Sequence, residues 1–339
     1  AAGSIADGAI PPSKIKGLGT MASQDTSSYM TTTQLASAYL STSELDQLPL
    51  NAKQFGAVGD GMVDDTSALQ ALFDAAVASR RAAYIPQGRY KITASLSIAL
   101  GDATQWVGGV KVYGDGMGHA KDGSYSSSII EPTNSVVSAA IVVSGTSNSD
   151  NSNKRQVNGF VIEDIGIRGV EDGSNGDGIC LSYFTNLTIR RVMVSFCSTG
   201  LRVKRQANGT TYGYANNTII EQFFAVANRG WGLDAADAGA ICGMVVTASN
   251  FCTNALGGIK IAPSPAMFTG NILTGNGGPA VLVVKPAGNS NATGPTFVGE
   301  HFETNGLAAV SPYSAGTAQV VLEYAQSPRF FGCNWLGST

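Results

Sequence analysis

The clearest pattern of apolar and polar positions lies within residues 51–92. Apolar side chains recur there at helical spacing, and they are Leu69, Leu72, Phe73, Ala76 and Val77. Positions at i, i+3, i+4, i+7 and i+8 share one face, so the pattern predicts an amphipathic helix over residues 64–81. A helix with one apolar face must cover an apolar surface elsewhere in the chain.

Turn and strand signals lie on both sides of this helix. Asp60 belongs to the turn sequence VGDG, and Asp64 and Asp65 precede the apolar stripe. Carboxylates at these positions suit a turn and a helix start, so we interpret them as structural and not catalytic. Beyond the helix, the sequence predicts strands at residues 83–85 and 90–92 around a Pro-Gln-Gly turn.

From residue 158 onward, a unit of short alternating strands repeats along the chain. Each unit holds two apolar-x-apolar strands around a polar corner pair, followed by a strand that starts with glycine. The clearest of these glycines, Gly178, Gly200, Gly232 and Gly258, are 22, 32 and 26 residues apart. This spacing predicts the turns of a parallel β-helix, in which stacked strands lie about 4.8 Å apart. The predicted helix would then cover the end of the first turn. Before the repeat, we expect strands at residues 106–113, 128–131 and 139–143.

Composition agrees with many short strands. The 339 residues include 42 Gly, and 43% of them are hydrophobic whereas only 13% are charged. A net charge of −3 without a long basic block argues against a nucleic-acid partner. The lack of a long apolar run argues against membrane insertion. The five cysteines lack metal-ligand spacing, so we predict buried thiols, no metal site and no cofactor.

The segment FGAVGDGMVDDTSALQALFDAA, followed by AYIPQGRYKIT, resembles the start of the pectate-lyase-like right-handed β-helix superfamily, and most of all its bacteriophage tailspike branch. The resemblance covers about 40 residues. It implies an all-β fold, a single-stranded right-handed parallel β-helix with an N-terminal capping α-helix. It also implies a homotrimer in the phage tail of the virion, made in the host cytoplasm and acting at the bacterial cell surface.

Three regions are expected on this basis. Residues 1–50 form an N-terminal connector that attaches to the virion through other tail or baseplate proteins, with a flexible leader as the alternative. Residues 51–125 form the start and cap of the β-helix. Residues 126–339 form its body, and because the last residues resemble the beginning of another turn, we expect a body without its own C-terminal cap.

The resemblance implies a function at the bacterial surface. The chain is expected to recognise a capsule or O-antigen polysaccharide and to cleave it as a depolymerase, with glycoside hydrolysis preferred. Three alternatives stay open: a non-catalytic receptor-binding adhesin, a structural tail protein, and a polysaccharide lyase acting by β-elimination. The catalytic motif of the pectate lyases does not map onto named positions here.

Alignment of the repeats places charged residues in two outward columns. Arg202, Asp234 and Lys260 occupy one position of successive strands, and the corner pairs at 163–164, 190–191 and 221–222 occupy another. The signs alternate in both columns. This pattern indicates a surface charge ladder, or a polar groove that holds a glycan.

The first candidate site lies near these columns. Hydrolysis requires two carboxyl groups, and we predict Asp234, Asp237 and Glu221 as catalytic acids. Trp231, Tyr212 and Tyr214 are the predicted sugar-stacking residues, with Arg202 and Lys260 as further substrate contacts.

The second candidate is the sequence EHFE at residues 300–303. Glu300 and Glu303 would form the acid pair, and His301 would bind substrate or act as a base in elimination. The acidic cluster at residues 171–177 is interpreted as a turn because Gly173 and Gly176 lie within it and Gly178 follows it directly.

Overall fold

The computed structural model describes residues 47–99, 107–118, 127–145, 157–182, 184–204, 207–208, 211–212, 215–236, 241–284, 294–307, 319–323 and 328–337. The chain divides into two units, residues 1–48 and 49–339. Nearly all of the predicted connector lies outside the described residues, so its role stays a prediction, as do the domain bounds at 50 and 125.

The described part of residues 49–339 consists of one α-helix, one 3-10 helix and many short strands. The helices are η1 (Ala52–Phe55) and α1 (Thr66–Ser79). In chain order the strands are β1 (Leu50–Asn51), β2 (Asp60–Asp64), β3 (Ala83–Ile85), β4 (Gly88–Ile92), β5 (Leu96–Ala99), β6 (Val107–Gly108), β7 (Lys111–Gly114), β8 (Ser128–Pro132), β9 (Ala139–Ser144), β10 (Val157–Asn158), β11 (Val161–Arg168), β12 (Asp177–Ser182), β13 (Phe184–Ser195), β14 (Leu201–Lys204), β15 (Ala207–Asn208), β16 (Thr211–Tyr212), β17 (Ala215–Val226), β18 (Trp231–Ala235), β19 (Ile241–Thr247), β20 (Asn250–Cys252), β21 (Gly257–Ile261), β22 (Met267–Thr269), β23 (Ile272–Thr274), β24 (Val281–Val283), β25 (Thr296–Val298), β26 (His301–Glu303), β27 (Val320–Leu322), β28 (Arg329–Phe331) and β29 (Asn334–Leu336).

These strands form the predicted parallel β-helix. Within the described residues, eight strands, β5, β9, β12, β14, β18, β21, β24 and β27, stack in parallel as one sheet. A larger sheet of nineteen strands provides the other faces of the coil, and β15 pairs with β16 separately in an antiparallel manner. The inward positions of the stacked strands are aliphatic or aromatic and fully buried, so a single core runs along the coil.

The repeat glycines and the corner residues occupy the positions that the sequence predicted. A Cβ on Gly200 would lie 2.5 Å from the carbonyl oxygen of Gly232, and one on Gly232 would lie 2.8 Å from that of Gly258. Only glycine fits such a close approach of successive turns. At the bends of β11, β13 and β17, the second corner residues adopt left-handed backbone angles, with φ of 56° at Asp164, 50° at Arg191 and 51° at Gln222.

The capping helix begins two residues later and ends two residues earlier than predicted. Leu69, Leu72 and Phe73 are buried against the first turn, which confirms the predicted covering role. Gln70 fixes the helix to β5, because its Nε2 donates to the Ser97 carbonyl at 2.8 Å and its Oε1 accepts from the Ser97 N–H at 2.8 Å. The helix thereby occupies the backbone groups of a strand that would otherwise be an open sheet edge.

Two local expectations differ from the structure. The Asp65 side chain makes no capping bond to the helix; it accepts from the N–H groups of Val58 (2.6 Å) and Gly59 (2.9 Å) and so closes the preceding turn. The strand predicted at residues 106–113 is interrupted: residues 109 and 110 separate β6 from β7, because Gly109 turns the backbone there. The strands expected at 128–131 and 139–143 are confirmed as β8 and β9.

A column of buried asparagines, which the sequence reading missed, runs through the corners between the two sheets. Its members are Asn228, Asn254, Asn276 and Asn305. The Asn254 Oδ1 accepts from the backbone N–H and the Nδ2 of Asn228, at 3.2 and 2.9 Å. The Asn254 Nδ2 donates to the Ala225 carbonyl at 3.0 Å and to the Asn276 Oδ1 at 3.1 Å. An amide both donates and accepts, so it can repeat from turn to turn and satisfy buried backbone groups.

Aromatic rings stack in the same way near the last described turns. The ring centres of Phe268 and Phe297, and of Phe297 and Phe330, are each 4.8 Å apart, and those of Phe302 and Trp335 are 4.4 Å apart.

Within the described residues no helix is long and apolar enough to cross a membrane.

We predict that Asn254→Ala lowers the free energy of unfolding by about 3–5 kcal/mol, because the buried N–H of Asn228 and the carbonyl of Ala225 lose their bonds to the amide and a cavity is left. Urea or thermal unfolding followed by circular dichroism measures the loss. The matched control is Asn186→Ala, which removes an exposed amide that bonds to Asn158 at 2.9 Å. The control should lose about 1 kcal/mol, mainly from its left-handed backbone. Equal losses in both variants would contradict a stabilising role of the buried column.

Candidate functional site

The predicted column of Arg202, Asp234 and Lys260 exists in the structure. These residues are direct neighbours in the registers of β14, β18 and β21. Arg202 joins two buried carboxylates: its Nε and Nη2 bind Asp177 at 2.5 and 3.2 Å, and its Nη1 binds Asp234 at 2.9 Å. The Thr199 hydroxyl accepts a further bond from Nη2 at 2.8 Å.

Opposite charges hold this cluster together, and its side chains are largely shielded from water. Burial opposes the charge on Arg202, but the hydrogen bond and charge of Asp177, together with Asp234, hold the Arg202 pKa above its usual value. Asp177, which the sequence reading assigned to a turn, is therefore the second carboxylate of the cluster. Its signal in the sequence was its position directly before the repeat glycine Gly178.

The other members of the first candidate site are placed differently. Trp231 is buried, with its ring against Gly257, where an added Cβ would lie 2.3 Å from a ring atom, so the ring offers no open face. Glu221 lies on β17 in the larger sheet, beside Arg191, and not on the sheet that holds Asp234. Asp237, Tyr214 and the Tyr212 side chain lie outside the described residues.

The corner column is an ion-pair ladder. Glu163 pairs with Lys111 on the turn before it and with Arg190 on the turn after it, and Arg191 binds Asp164 at 2.5 and 2.6 Å. Burial disfavours the charge on Glu163, but the bonds from Lys111 and Arg190 prevail and lower its pKa. The ion pairs of this column therefore join successive turns of the coil, in agreement with the predicted surface charge ladder.

The second candidate pair does not face one open cleft. Glu300 is fully buried (0% exposed) and its Oε1 accepts from the N–H and Nδ2 of Asn271, at 3.3 and 3.2 Å. Glu303 is 43% exposed, and its Oε2 lies 3.2 Å from the His301 Nε2. Glu300 thus belongs to an interior polar column with Ser249 and Asn271. A substrate on the outer face would reach Glu303 and His301 but not the buried carboxyl.

Burial changes the ionisation of Glu300. Desolvation, only partly offset by bonds from Asn271 and Gly270, raises its pKa to about 7. Its Oε2 has no hydrogen-bond partner among the described residues. A raised pKa is typical of catalytic acids, but here it reports an interior structural position.

A groove of about 430 Å³ lies on the larger sheet, close to the capped end. We call it the polar groove, and its charged lining residues are Arg89, Lys91, Glu131, Arg168, Glu171 and Asp172. Parallel pairing places Lys91 beside Asp64 and Glu131, and the pairing of Ile130 with Ile167 brings Arg168 to the next position. These charged residues lie on β4, β8, β11 and the turn after β11, so no single stretch of the sequence indicates the groove.

The polar groove combines fixed charges with open rim residues. Arg89 binds Glu131 through two parallel bonds of 2.9 Å, and the Lys91 ammonium donates to the Met62 carbonyl at 3.0 Å. Charged groups held in this way can hydrogen-bond a hydroxyl-rich ligand. No group of His, Cys, Asp or Glu side chains within the described ranges could hold a metal ion.

Comparisons with known proteins agree with this architecture. Residues 50–154 match the family model described as rhamnogalacturonase A/epimerase, pectate lyase-like. The catalytic domain of Agl-KA superposes with a TM-score of 0.60 at 18% identity, over 84% of this chain and 53% of that one. The chain has the right-handed β-helix fold of the pectate-lyase-like superfamily.

Two further proteins are similar to this chain, one in fold and one in a short stretch of sequence. The phiAB6 tailspike, in complex with oligosaccharides of Acinetobacter baumannii surface polysaccharide, gives a TM-score of 0.58 at 15% identity, over 89% of this chain and 49% of that one. Mannuronan C5-epimerase AlgE5 of Azotobacter vinelandii is 50% identical over 44 residues, 13% of this chain and 4% of the epimerase. The chain spans about half the length of the solved Agl-KA catalytic domain and of the solved phiAB6 tailspike.

We predict that Arg202→Gln lowers the free energy of unfolding by about 3–5 kcal/mol at pH 7, because it leaves two buried carboxylates unpaired. Chemical unfolding at pH 7 measures the loss. Lys260→Gln, one turn further along the same column, is the control and should cost less than 1 kcal/mol.

A second prediction concerns Glu300→Gln. The folded chain holds the Glu300 proton more tightly than the unfolded chain, with a pKa of about 7 against 4.5. Stability therefore falls as the pH rises between these values and stays lower above them. At pH 8 the Gln variant should be more stable than the wild type, on the order of 2–3 kcal/mol, and at pH 4 nearly equal to it. Thermal melts across this range test it, with the half-exposed Glu303→Gln as control. A pH-independent difference would contradict the assignment.

Proposed function

We propose that the chain is the β-helical body of a bacteriophage tailspike that binds a bacterial surface polysaccharide, either a capsule or an O-antigen. The fold shared with the phiAB6 tailspike supports this proposal. The observation that carries it is the polar groove, an open concave surface with convergent charged groups. Under the proposal the protein is a homotrimer in the phage tail, joined to other tail or baseplate proteins through residues 1–50.

The finer proposal is that the polysaccharide is cleaved by glycoside hydrolysis. This reaction requires two carboxyl groups about 5–5.5 Å apart for retention or about 6.5–9.5 Å apart for inversion. Asp234 on β18 and Asp237, three residues later in the sequence, stay the proposed acids, with Glu221 on the larger sheet as the third. Tyr212, Tyr214, Lys260 and His301 stay proposed substrate contacts, and Arg202 would orient Asp234. Trp231 is not proposed again, because its buried ring has no open face for a sugar.

Recognition without cleavage is the second candidate function, and one observation favours it. The carboxylates of Glu131, Glu163, Asp177 and Asp234 are all held in ion pairs within the described part of the chain. Their oxygens already bind arginine, so these carboxylates are poorly placed to contact a glycosidic oxygen. An adhesin needs only the polar surface.

Incubation with purified capsule and O-antigen from a panel of strains tests both candidates. We expect new reducing ends without the ultraviolet absorbance of unsaturated uronate, which indicates hydrolysis. Both signals together would indicate elimination, and binding with neither signal would indicate an adhesin. A chain that neither binds nor changes any polysaccharide of the panel would refute the proposal for these glycans.

We further predict that Asp234→Asn and Asp237→Asn each lower kcat at least about 100-fold, since loss of an acid/base group typically costs 10²–10⁴-fold. The matched control is Asp74→Asn on the exposed side of α1, which should keep full activity. Full activity of both variants would remove these aspartates from the mechanism. Melting temperatures separate a lost catalytic group from the lost ion pair with Arg202.

A further inference from the structure

The Arg168 side chain lies in the polar groove with unused hydrogen-bonding capacity. Its Nε is buried and has no hydrogen-bond partner among the described residues. Its Nη2 lies 3.6 Å from the Glu171 Oε2, which is longer than a hydrogen bond. A guanidinium presents five N–H donors in a planar fork. Among the described residues, Arg168 therefore has an ion-pair neighbour but no hydrogen-bond acceptor, which is unusual for a buried arginine.

Packing holds this guanidinium in one place. The side chain is only 12% exposed, and its Cζ lies 5.1 Å from the centre of the Phe196 ring. The residue ends β11, which is paired with β13 at Ser195. A donor group that is already ordered loses little entropy when a ligand binds, and a ring behind it excludes water from one face.

The other two cations of the polar groove are already engaged. Arg89 is neutralised by its two bonds to Glu131, and Lys91 donates to a carbonyl and adjoins Asp64. The counter-charge nearest to Arg168 is Glu171, which is 58% exposed and can turn toward solvent. An incoming anion could displace this loosely held carboxylate and keep the same charge balance.

We propose that Arg168 anchors a subsite for a carboxylate-bearing sugar in the polar groove, which rests on the proposed polysaccharide function and names its substrate class. The buried Nε cannot reach a ligand, so the carboxylate would accept its two parallel N–H bonds from Nη1 and Nη2. The volume of about 430 Å³ suits a sugar residue. Glu131, Glu171 and Asp172 also line the groove, so a singly charged group fits it better than a dianionic phosphate.

Calorimetry of the full chain with tetragalacturonate and with its carboxyl-reduced counterpart tests the subsite directly. The wild type should bind the acidic probe at least about 10-fold more tightly than the neutral one, as expected for a bidentate charged contact. Arg168→Gln should abolish this preference. Arg168→Lys, which keeps the charge without the fork, should lose most of it. Glu171→Gln should strengthen acidic binding, and Lys204→Gln, an exposed cation on the other sheet, should leave it unchanged.

Three results would overturn the subsite. They are equal binding of the two probes, no binding of tetragalacturonate by the wild type, and wild-type preference in a folded Arg168→Lys or Arg168→Gln variant. Displacement of the acidic probe by inorganic phosphate, as effective as displacement by glucuronate, would overturn the carboxylate assignment. Circular dichroism checks that each variant is folded.

Native and carboxyl-reduced polysaccharides from the strain panel separate this subsite from the wider proposal. If both forms bind and Arg168→Gln has no effect, the chain binds polysaccharide but does not have this subsite. If no panel polysaccharide binds but tetragalacturonate binding depends on Arg168, the subsite is supported. The tailspike function is then rejected for those strains.

Discussion

The fixed distance between successive turns is the constraint on which the structure depends. Each residue of a stacked strand has equivalents one turn before and after it, about 4.8 Å away. Like charges at this distance repel, and a side chain that bonds to a copy of itself can repeat. The alternating charges of Glu163 and Arg190, the stacked phenylalanines and the asparagine column are three results of the same spacing.

The same constraint explains how polar groups are buried in an apolar coil. An asparagine at a corner satisfies the backbone of its own turn and of the next. The parallel column of Ser249, Asn271 and Glu300 follows this plan until Glu300, where a carboxyl replaces the amide and one oxygen is left without a partner among the described residues. Burial disfavours the charged form of this carboxyl, which accounts for the raised pKa.

These ladders also change how charged residues of a β-helix are interpreted. Asp234 and Asp177 are acidic and close together, yet one arginine holds both, so their proximity has a structural cause as well as a catalytic interpretation. In such a scaffold, a charged group that the ladder leaves unsatisfied is the stronger indication of ligand binding. Among the described residues Arg168 meets this condition and lines a groove, whereas the paired acids do not meet it. Glu300 is also unsatisfied, but it is sealed in the core and no ligand can reach it.

The sequence by itself determined the coil, its cap and the columns of charge. Helical and alternating periodicities are local, and the repeat glycines at 178, 200, 232 and 258 mark the turns, so the register of Arg202 with Asp234 and Lys260 followed from counting along the chain. The capping bond expected of Asp65 failed because an earlier turn uses the same carboxylate.

Only the tertiary structure decided which charged groups are free. Loops of unequal length separate the turns, so spacing could not show that Asp177 reaches Arg202 or that Lys91, Glu131 and Arg168 line one groove. The direction of a side chain at a corner also depends on the local backbone, which turned Glu300 into the core and left Glu303 outside. Burial and pairing are properties of the packed turns, and they decide which of the many polar residues can meet a ligand.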